Sequence, residues 1–220
     1  MIHISETLAV QTVEGFLGAE ESARLLKIMD SEAAGWRPRT QAEVLLAPAL
    51  AQEILALATV RSLPAIRRGM PSIAAATPWG YTELTAGQCV PSHLDGIRSP
   101  RTAPRRIGRI SVVIAEAEEG GEFYTETTAD PAPWTTTLLG VADGYVSGTP
   151  LARSLPHEVA EDPHAAEAEW LATTARTRWT ARAGRGVAVA YGAQLIHGVT
   201  PVVRGRLRKF VTDLTDAPVS

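Results

Sequence analysis

The 220-residue sequence has one cysteine, no excess of positive charge and no long apolar run. A single cysteine cannot close an internal disulfide, which argues against the disulfide-stabilised class of secreted proteins. The formal net charge of -3 gives no electrostatic case for nucleic-acid binding, which usually needs a basic face. No apolar stretch approaches the roughly 18 residues of a membrane span, and the first residues lack the basic and apolar regions of a signal peptide. We therefore expect a cytoplasmic protein with no membrane and no nucleic-acid partner.

The composition and the length predict one globular domain of the α+β class. Apolar residues make up 45% of the chain and charged residues 20%, which is the balance of an ordinary folded protein. The spacing of apolar residues predicts helices at about 18–33 and 47–60, whereas the chain after Pro78 breaks into short β-forming pieces separated by turns. We expect a mainly β fold with flanking α-helices, in which residues 79–214 form a jelly roll or a related barrel and residues 1–78 form a helical scaffold.

The middle of the chain carries the strongest strand signal and one irregular segment. Residues 109–115 form an apolar run that is typical of a buried strand. The segment of about 141–183 does not fit the strand pattern, and Asp162 as N-cap with Pro163 behind it predicts a helix inside it. We interpret this segment as an insertion near the mouth of a site.

The stretch "SHLDGIR" places His93 and Asp95 two residues apart. In a strand, residues i and i+2 point to the same face, so the imidazole and the carboxylate would project into the same space. A third candidate, His197, follows strand-like residues much later in the chain and must come from another strand. Two histidines and one carboxylate make the facial triad of non-haem Fe(II) oxygenases, which leaves coordination positions open. Taken singly, each residue also fits ordinary packing or hydrogen bonding, so the surrounding segments decide.

Those segments resemble the Fe(II)/2-oxoglutarate-dependent dioxygenases, specifically the prolyl-4-hydroxylase-like group. "HGVTPVVRGRLRKF", which begins at His197, is similar to the distal-histidine segment of that family. "ELTAGQCVPSHLDG" resembles the proximal segment, "RISVVIAEAEEGGEFYTE" the middle strand pair, and "GRGVAVAYGAQLIHGV" the strand that leads to the distal histidine. The matches occur in the order of the family and cover about residues 81–214, interrupted by the insertion.

The resemblance implies a double-stranded β-helix, a jelly-roll variant, in which the two histidines and the aspartate hold Fe(II). It also implies that the co-substrates 2-oxoglutarate and O₂ bind beside the iron, and that a buried basic side chain binds the distal carboxylate of 2-oxoglutarate. Arg206 and Arg208, nine and eleven positions after His197, are the candidates for that side chain and share strand parity. The tenth position, which many relatives use, is Leu207, so the sequence departs from the commonest spacing there.

Three further residues are candidates for binding the co-substrate or the substrate. Tyr81 and Glu83 share parity on a strand that leads toward the site, so Tyr81 could hydrogen-bond the co-substrate and Glu83 could bind a cationic group of the substrate. Arg98 lies three residues after Asp95, within a basic run that could attract an anionic substrate. The alternative for all three is an ordinary packed or solvated side chain.

The expected reaction is hydroxylation of an unactivated C–H bond in a small molecule, a free amino acid or a natural-product intermediate, with release of succinate and CO₂. The resemblance also bears on halogenation, because related halogenases have a small residue where this chain has Asp95. Desaturation, epoxidation and cyclisation by the same centre stay open, as does a non-catalytic cupin-like protein that binds a metal or a small molecule. The sequence leaves a homodimer open as well.

Overall fold

A computed structural model describes residues 1–36, 43–155 and 169–218 of the chain. The helices in this part of the chain are α1 (Ile4–Thr7), α2 (Ala19–Glu32), α3 (Ala49–Ile66) and α4 (Glu169–Ala172), with one 3-10 turn at Val141–Asp143. The strands of the first half are β1 (Val10–Val13), β2 (Leu45–Leu46), β3 (Ala75–Ala76), β4 (Gly80–Thr85), β5 (Val90–His93) and β6 (Arg106–Ala115). Those of the second half are β7 (Glu119–Gly120), β8 (Phe123–Thr127), β9 (Trp134–Leu139), β10 (Thr149–Ala152), β11 (Thr177–Ala181), β12 (Ala188–Gly192), β13 (Ile196–Val199), β14 (Val202–Arg204) and β15 (Arg206–Thr215).

Two larger antiparallel sheets form most of the described β part, as expected for a double-stranded β-helix, and β9 with β10 and β7 with β14 form two further two-stranded pairs. The major sheet has the order β1-β12-β6-β15-β4-β2, with β3 paired to β15. The minor sheet has the order β11-β8-β13-β5. Residues from both sheets line one cavity between them, so the sheets face each other in the jelly-roll arrangement.

The long central strands of the major sheet are buried on both faces. In β6 and β15 almost no residue is exposed, and every residue of β12 is buried. One face packs on the helices, since Leu25 and Met29 of α2 and Leu55 of α3 join the same hydrophobic core as Ile110 and Phe210. The other face lines the space between the sheets. Burial on both sides explains why these strands read as continuous apolar runs in the sequence.

The N-terminal region is not purely helical, which corrects the expectation for residues 1–78. Helices α2 and α3 lie close to their predicted positions, and α3 runs on to Ile66. However, β1 pairs with β12, β2 with β4 and β3 with β15, so this region also supplies strands to the major sheet. Two of these strands have only two residues each, which is too short to show any periodicity.

The expected insertion at 141–183 is also corrected in its bounds and its position. Strand β11 lies inside that range but pairs with β8, so it belongs to the minor sheet. Strand β10 and helix α4 inside that range, together with β9 just before it, pack against the outer face of the minor sheet. There, Trp134, Ala152 and Leu171 contact Leu94 and Ile196, which alternate with the inward-facing histidines. The predicted helix start at Asp162 and Pro163 lies outside the described residues.

Helix α3 has a mean hydropathy of 1.3 over 18 residues and could cross a membrane by length and composition alone. Core helices pass the same test, and Ala51, Leu55, Ala58 and Ile66 of α3 are fully buried in the main core. The expected absence of membrane contact therefore stays a prediction.

Candidate functional site

The structure brings His93, Asp95 and His197 together in the space between the sheets. His93 ends β5 and lies directly opposite His197 on β13, with the ring centroids 4.1 Å apart. Asp95 follows just after the end of β5, and its Oδ2 lies 3.6 Å from Nε2 of His197. One ligand atom from each side chain lies within 4.8 Å of the others, so the three can reach a single cation.

Backbone hydrogen bonds fix both imidazoles with the same nitrogen directed at this meeting point. Nδ1 of His93 contacts the carbonyl of Pro91 at 3.0 Å, and Nδ1 of His197 contacts the carbonyl of Leu195 at 2.9 Å. A carbonyl only accepts, so each Nδ1 must donate its proton, and the lone pair of each neutral ring is on Nε2. Burial lowers the pKa of His93 to about 3 and also lowers the pKa of His197. Neutral imidazoles with an oriented lone pair are the form in which histidine binds metals.

Asp95 presents one oxygen to the protein and one to the cavity. Its Oδ1 accepts a hydrogen bond from Arg109 at 3.1 Å, with Arg106 at 3.9 Å. Its Oδ2 is buried and has no hydrogen-bond partner among the described residues. Burial works against ionisation, yet Arg109 holds the pKa of Asp95 well below its usual range. A buried anionic oxygen without a partner is costly, and a cation bound between the three side chains would satisfy it. The residues therefore fit a divalent metal.

Lys209 is the cation that faces the cavity from β15. The cavity has a volume of about 230 Å³ and contains all three candidate ligands together with Lys209, Tyr191 and other side chains of both sheets. Within the described part of the chain, the Lys209 ammonium makes no hydrogen bond and no ion pair. Burial and the nearby Arg109 lower its pKa to about 8. A half-buried ammonium that has no partner among the described residues, beside a candidate metal site, is suited to binding an anionic ligand.

Arg206 and Arg208 do not line this cavity, which corrects their expected role. Side chains alternate along β15, and Leu207, Lys209 and Val211 are the ones that reach the space between the sheets. Arg206 and Arg208 therefore lie on the opposite face. The prediction that the two arginines share one face of β15 is correct, but that face points away from the cavity.

Tyr81 and Glu83 lie on that same outer face and are corrected with them. Glu83 Oε2 pairs with Arg206 at 3.0 Å, and the Tyr81 hydroxyl donates a hydrogen bond to Glu83. Arg208 donates to the Tyr81 hydroxyl at 2.5 Å and pairs with Asp30 of α2 at 2.8 Å. This group of five side chains, which we call the outer network, ties α2 to the sheet and has no access to the cavity.

Arg98 lies at the wall of the cavity, and its role in substrate binding stays a prediction. It is exposed, and it lines both the cavity of the candidate metal ligands and an adjoining cavity of about 210 Å³. No hydrogen bond or ion pair to its guanidinium is found in the described part of the chain.

Three residues of the site were missed by sequence reasoning. Arg109 was not singled out, but it lies on β6 with its guanidinium between Asp95 and Asp213. Tyr191 of β12 packs with its ring centroid 4.4 Å from that of His197. Lys209 had a usable signal, because it shares parity with Leu207, the residue at the spacing that the family commonly uses for its basic side chain.

Comparison with solved structures shows the same fold. A prolyl-4-hydroxylase from Pseudomonas putida superposes with a TM-score of 0.58 at 14% identity, covering 96% of this chain and 95% of that one. The viral collagen prolyl hydroxylase from Paramecium Bursaria Chlorella virus-1, in a complex with 2-oxoglutarate, has a TM-score of 0.54 at 14% identity and coverages of 95% and 96%. The non-haem alpha-ketoglutarate-dependent epimerase SnoN of nogalamycin biosynthesis has a TM-score of 0.57 at 13% identity and coverages of 96% and 80%.

No protein-family model and no curated protein matches the sequence. At the identities of the structural matches, the likeness establishes the double-stranded β-helix fold of the 2-oxoglutarate-Fe(II) oxygenases. The chemistry has to be argued from the side chains of this chain.

Proposed function

We propose that this chain is an Fe(II)/2-oxoglutarate-dependent oxygenase that acts on a small molecule. The observation that carries the proposal is the convergence of two oriented Nε2 lone pairs and the unpartnered Asp95 Oδ2 at one point in the cavity. Two neutral imidazoles and one carboxylate suit Fe(II) and leave positions open for further ligands. His93, Asp95 and His197 would hold the metal.

Lys209 is proposed to hold the distal carboxylate of 2-oxoglutarate. It is the cation on the inward face of β15, where the sequence had suggested Arg206 or Arg208. Its lowered pKa of about 8 still leaves the ammonium mostly charged at neutral pH. A charge-assisted hydrogen bond from this ammonium to the distal carboxylate would give Lys209 a partner and fix the orientation of the co-substrate.

The remaining side chains of the site would support that chemistry. When bound, Fe(II) and 2-oxoglutarate supply the reactivity toward O₂ and the C–H bond of the substrate, and release succinate and CO₂. Arg109 keeps Asp95 ionised and orients its Oδ1, which leaves Oδ2 for the metal. Tyr191 and Phe123 pack beside His197 and keep water from that side of the site.

Hydroxylation is the reaction that we propose, because Asp95 supplies a carboxylate where a halogenating centre needs an open position. The epimerase SnoN has the same fold, so the fold alone does not select the outcome. A free amino acid or a natural-product intermediate is the proposed substrate class. The cytoplasmic location, the absence of a nucleic-acid or membrane partner and the option of a homodimer stay predictions.

An anaerobic absorption titration tests the proposal. Fe(II) followed by 2-oxoglutarate should produce a weak visible charge-transfer band in the wild-type protein and none in His93→Ala. His3→Ala is the matched control, because His3 is an exposed histidine that caps α1, and it should keep the band. A wild-type protein that binds Fe(II) but shows no band with 2-oxoglutarate would support the cupin-like alternative instead. Release of succinate in air then distinguishes an enzyme from a binding protein.

A further inference from the structure

The adjoining cavity on the Arg98 side is lined by groups that suit a polar ligand. Besides Arg98 and Arg106, which it shares with the cavity of the candidate metal ligands, it is bordered by Thr77, Ser99, Pro104, Asp213 and Thr215. The shared arginines make the two cavities neighbours across a common wall. A molecule bound with one end near Asp95 would therefore extend toward Arg98.

Among the described residues that line these cavities, the positive charges outnumber the negative ones. The two carboxylates that line them, Asp95 and Asp213, are matched by Arg106 and Arg109, which form ion pairs with both. Within the part of the chain that the structure describes, Lys209 and Arg98 are then two cations without an ion-pair partner. With the proposed Fe(II) and 2-oxoglutarate bound, the charges of those two ligands cancel each other. The excess of two positive charges therefore persists, and it favours an anionic substrate.

The backbone holds Arg98 at a fixed distance from the candidate metal ligand. Gly96, directly after Asp95, has a φ of 67°, a left-handed conformation that turns the chain, and its N–H donates to the carbonyl of Ala193 at 2.7 Å. Ile97 is buried in the main core. Anchored at both residues, the chain presents the exposed side chain of Arg98 to the wall between the two cavities.

We propose that the substrate carries a carboxylate or phosphate group and that Arg98 binds this group at the wall between the two cavities. The planar guanidinium can make two parallel hydrogen bonds to such a group. The opposite end of the substrate then faces the metal. The distance between Arg98 and the metal therefore determines which carbon of the substrate reacts. This inference rests on the proposed function only for the identity of the reaction, because anion binding by Arg98 can be measured without turnover.

Calorimetric titration of small probes tests the proposal on protein loaded with Mn(II) and 2-oxoglutarate without O₂. The probes are acetate, inorganic phosphate and the neutral acetamide. The variant is Arg98→Gln, and the control is Arg101→Gln. Arg101 lies in the same basic run but pairs with Asp143 at the surface and lines neither cavity.

Acetate or phosphate should bind the wild-type protein and Arg101→Gln equally, and acetamide should bind neither. Affinity for the anion should fall by roughly 10- to 100-fold in Arg98→Gln, the usual loss for a hydrogen bond to a charged group. A preference for acetate would indicate a carboxylate substrate, and a preference for phosphate a phosphate ester. Absence of anion binding, equal binding of acetamide, or an unchanged affinity in Arg98→Gln would overturn the proposal.

Failure of this inference and failure of the proposed function give different results. A wild-type protein that takes up Mn(II) and 2-oxoglutarate but ignores the anions contradicts only the role of Arg98. A protein that takes up neither Mn(II) nor 2-oxoglutarate contradicts the oxygenase itself. If such a protein nevertheless binds the anions, and Arg98→Gln does not, the proposal that Arg98 binds an anionic ligand is still supported.

Discussion

The molecule has two groups of arginines and carboxylates on opposite faces of the major sheet. The inner group, Asp95, Arg106, Arg109 and Asp213, faces the cavity. Among the described residues, its buried Asp95 Oδ2 has no hydrogen-bond partner, whereas Asp213 Oδ1 still has an ion pair with Arg109 at 2.9 Å. The outer network of Asp30, Tyr81, Glu83, Arg206 and Arg208 is closed on itself. The same residue types therefore serve two purposes. The outer network, whose groups are paired with one another, joins a helix to the sheet. The inner group has an oxygen without a hydrogen-bond partner in the described part of the chain and is suited to binding a ligand.

The largest expected difference between the two groups is in the loss of a carboxylate. Asp95→Asn removes the charge of a candidate metal ligand. Loss of a group that only hydrogen-bonds to a metal ligand typically costs about 10- to 100-fold, so loss of the ligand's own charge should lower succinate release by at least about 100-fold. Glu83→Gln removes a charge of the outer network, so succinate release should change little while the free energy of unfolding falls. Steady-state assays and denaturant unfolding of both variants measure this. Equal loss of activity in the two variants would contradict the distinction.

The second difference concerns the cations of β15. Lys209→Met should raise the KM for 2-oxoglutarate by roughly 10- to 100-fold, because a charge-assisted hydrogen bond is lost. Arg208→Met should leave that KM unchanged and lower the free energy of unfolding by about 3 kcal/mol, because the buried carboxylate of Glu83 loses the Arg208 guanidinium, which lies 3.4 Å away. The double variant Leu207→Lys/Lys209→Met tests which face of β15 points inward. A lysine at position 207 lies on the same face as Lys209 and should recover part of the affinity for 2-oxoglutarate.

The lowered pKa of Lys209 predicts a pH dependence for co-substrate binding. Only the protonated ammonium attracts the carboxylate, and burial places its pKa at about 8 in the free protein. The KM for 2-oxoglutarate should therefore be constant below that pH and rise toward tenfold per pH unit above it. Lys209→Arg keeps its charge at any of these pH values and should remove the rise. A wild-type profile that is flat from pH 7 to pH 9 would count against Lys209.

The smallest effect is expected at Arg206, a half-exposed member of the outer network. Its side chain is 46% exposed, so its ion pair with Glu83 is screened by solvent. Arg206→Gln should cost roughly 1 kcal/mol or less and leave the KM for 2-oxoglutarate unchanged. A thermal melt and one substrate titration suffice. A clear rise in that KM would restore the role that the sequence suggested for Arg206.

Much of the fold and the candidate metal ligands could be predicted because local patterns encode them. Strand β6 reads as a buried run, α2 has helical spacing, and the H-x-D segment is followed much later by a histidine in a strand. The strand pairing of His93 with His197 then supplies what the sequence cannot show, which is that the two side chains meet.

The face of β15 was not predictable from parity alone, because both faces of this strand are buried. Apolar and charged residues occur on each side of it. Arg208 is buried against α2 and Lys209 is half-buried at the cavity, and alternation does not show which face is the inner one. The inward position of Leu207, which matches the spacing of the family, was the clue that would have selected Lys209. The role of Arg109 depends on its contacts with Asp95 and Asp213. Asp213 is distant in sequence and Asp95 is positioned by the turn at Gly96, so the sequence around Arg109 does not show either contact.

The most direct test of the central claim is a crystal structure grown with Mn(II) and 2-oxoglutarate, with anomalous scattering recorded to locate the metal. We expect one manganese peak bound by Nε2 of His93, Nε2 of His197 and Oδ2 of Asp95, with the distal carboxylate of 2-oxoglutarate at the ammonium of Lys209. Manganese at any other group of side chains, or a 2-oxoglutarate carboxylate bound by the outer network, would contradict this account.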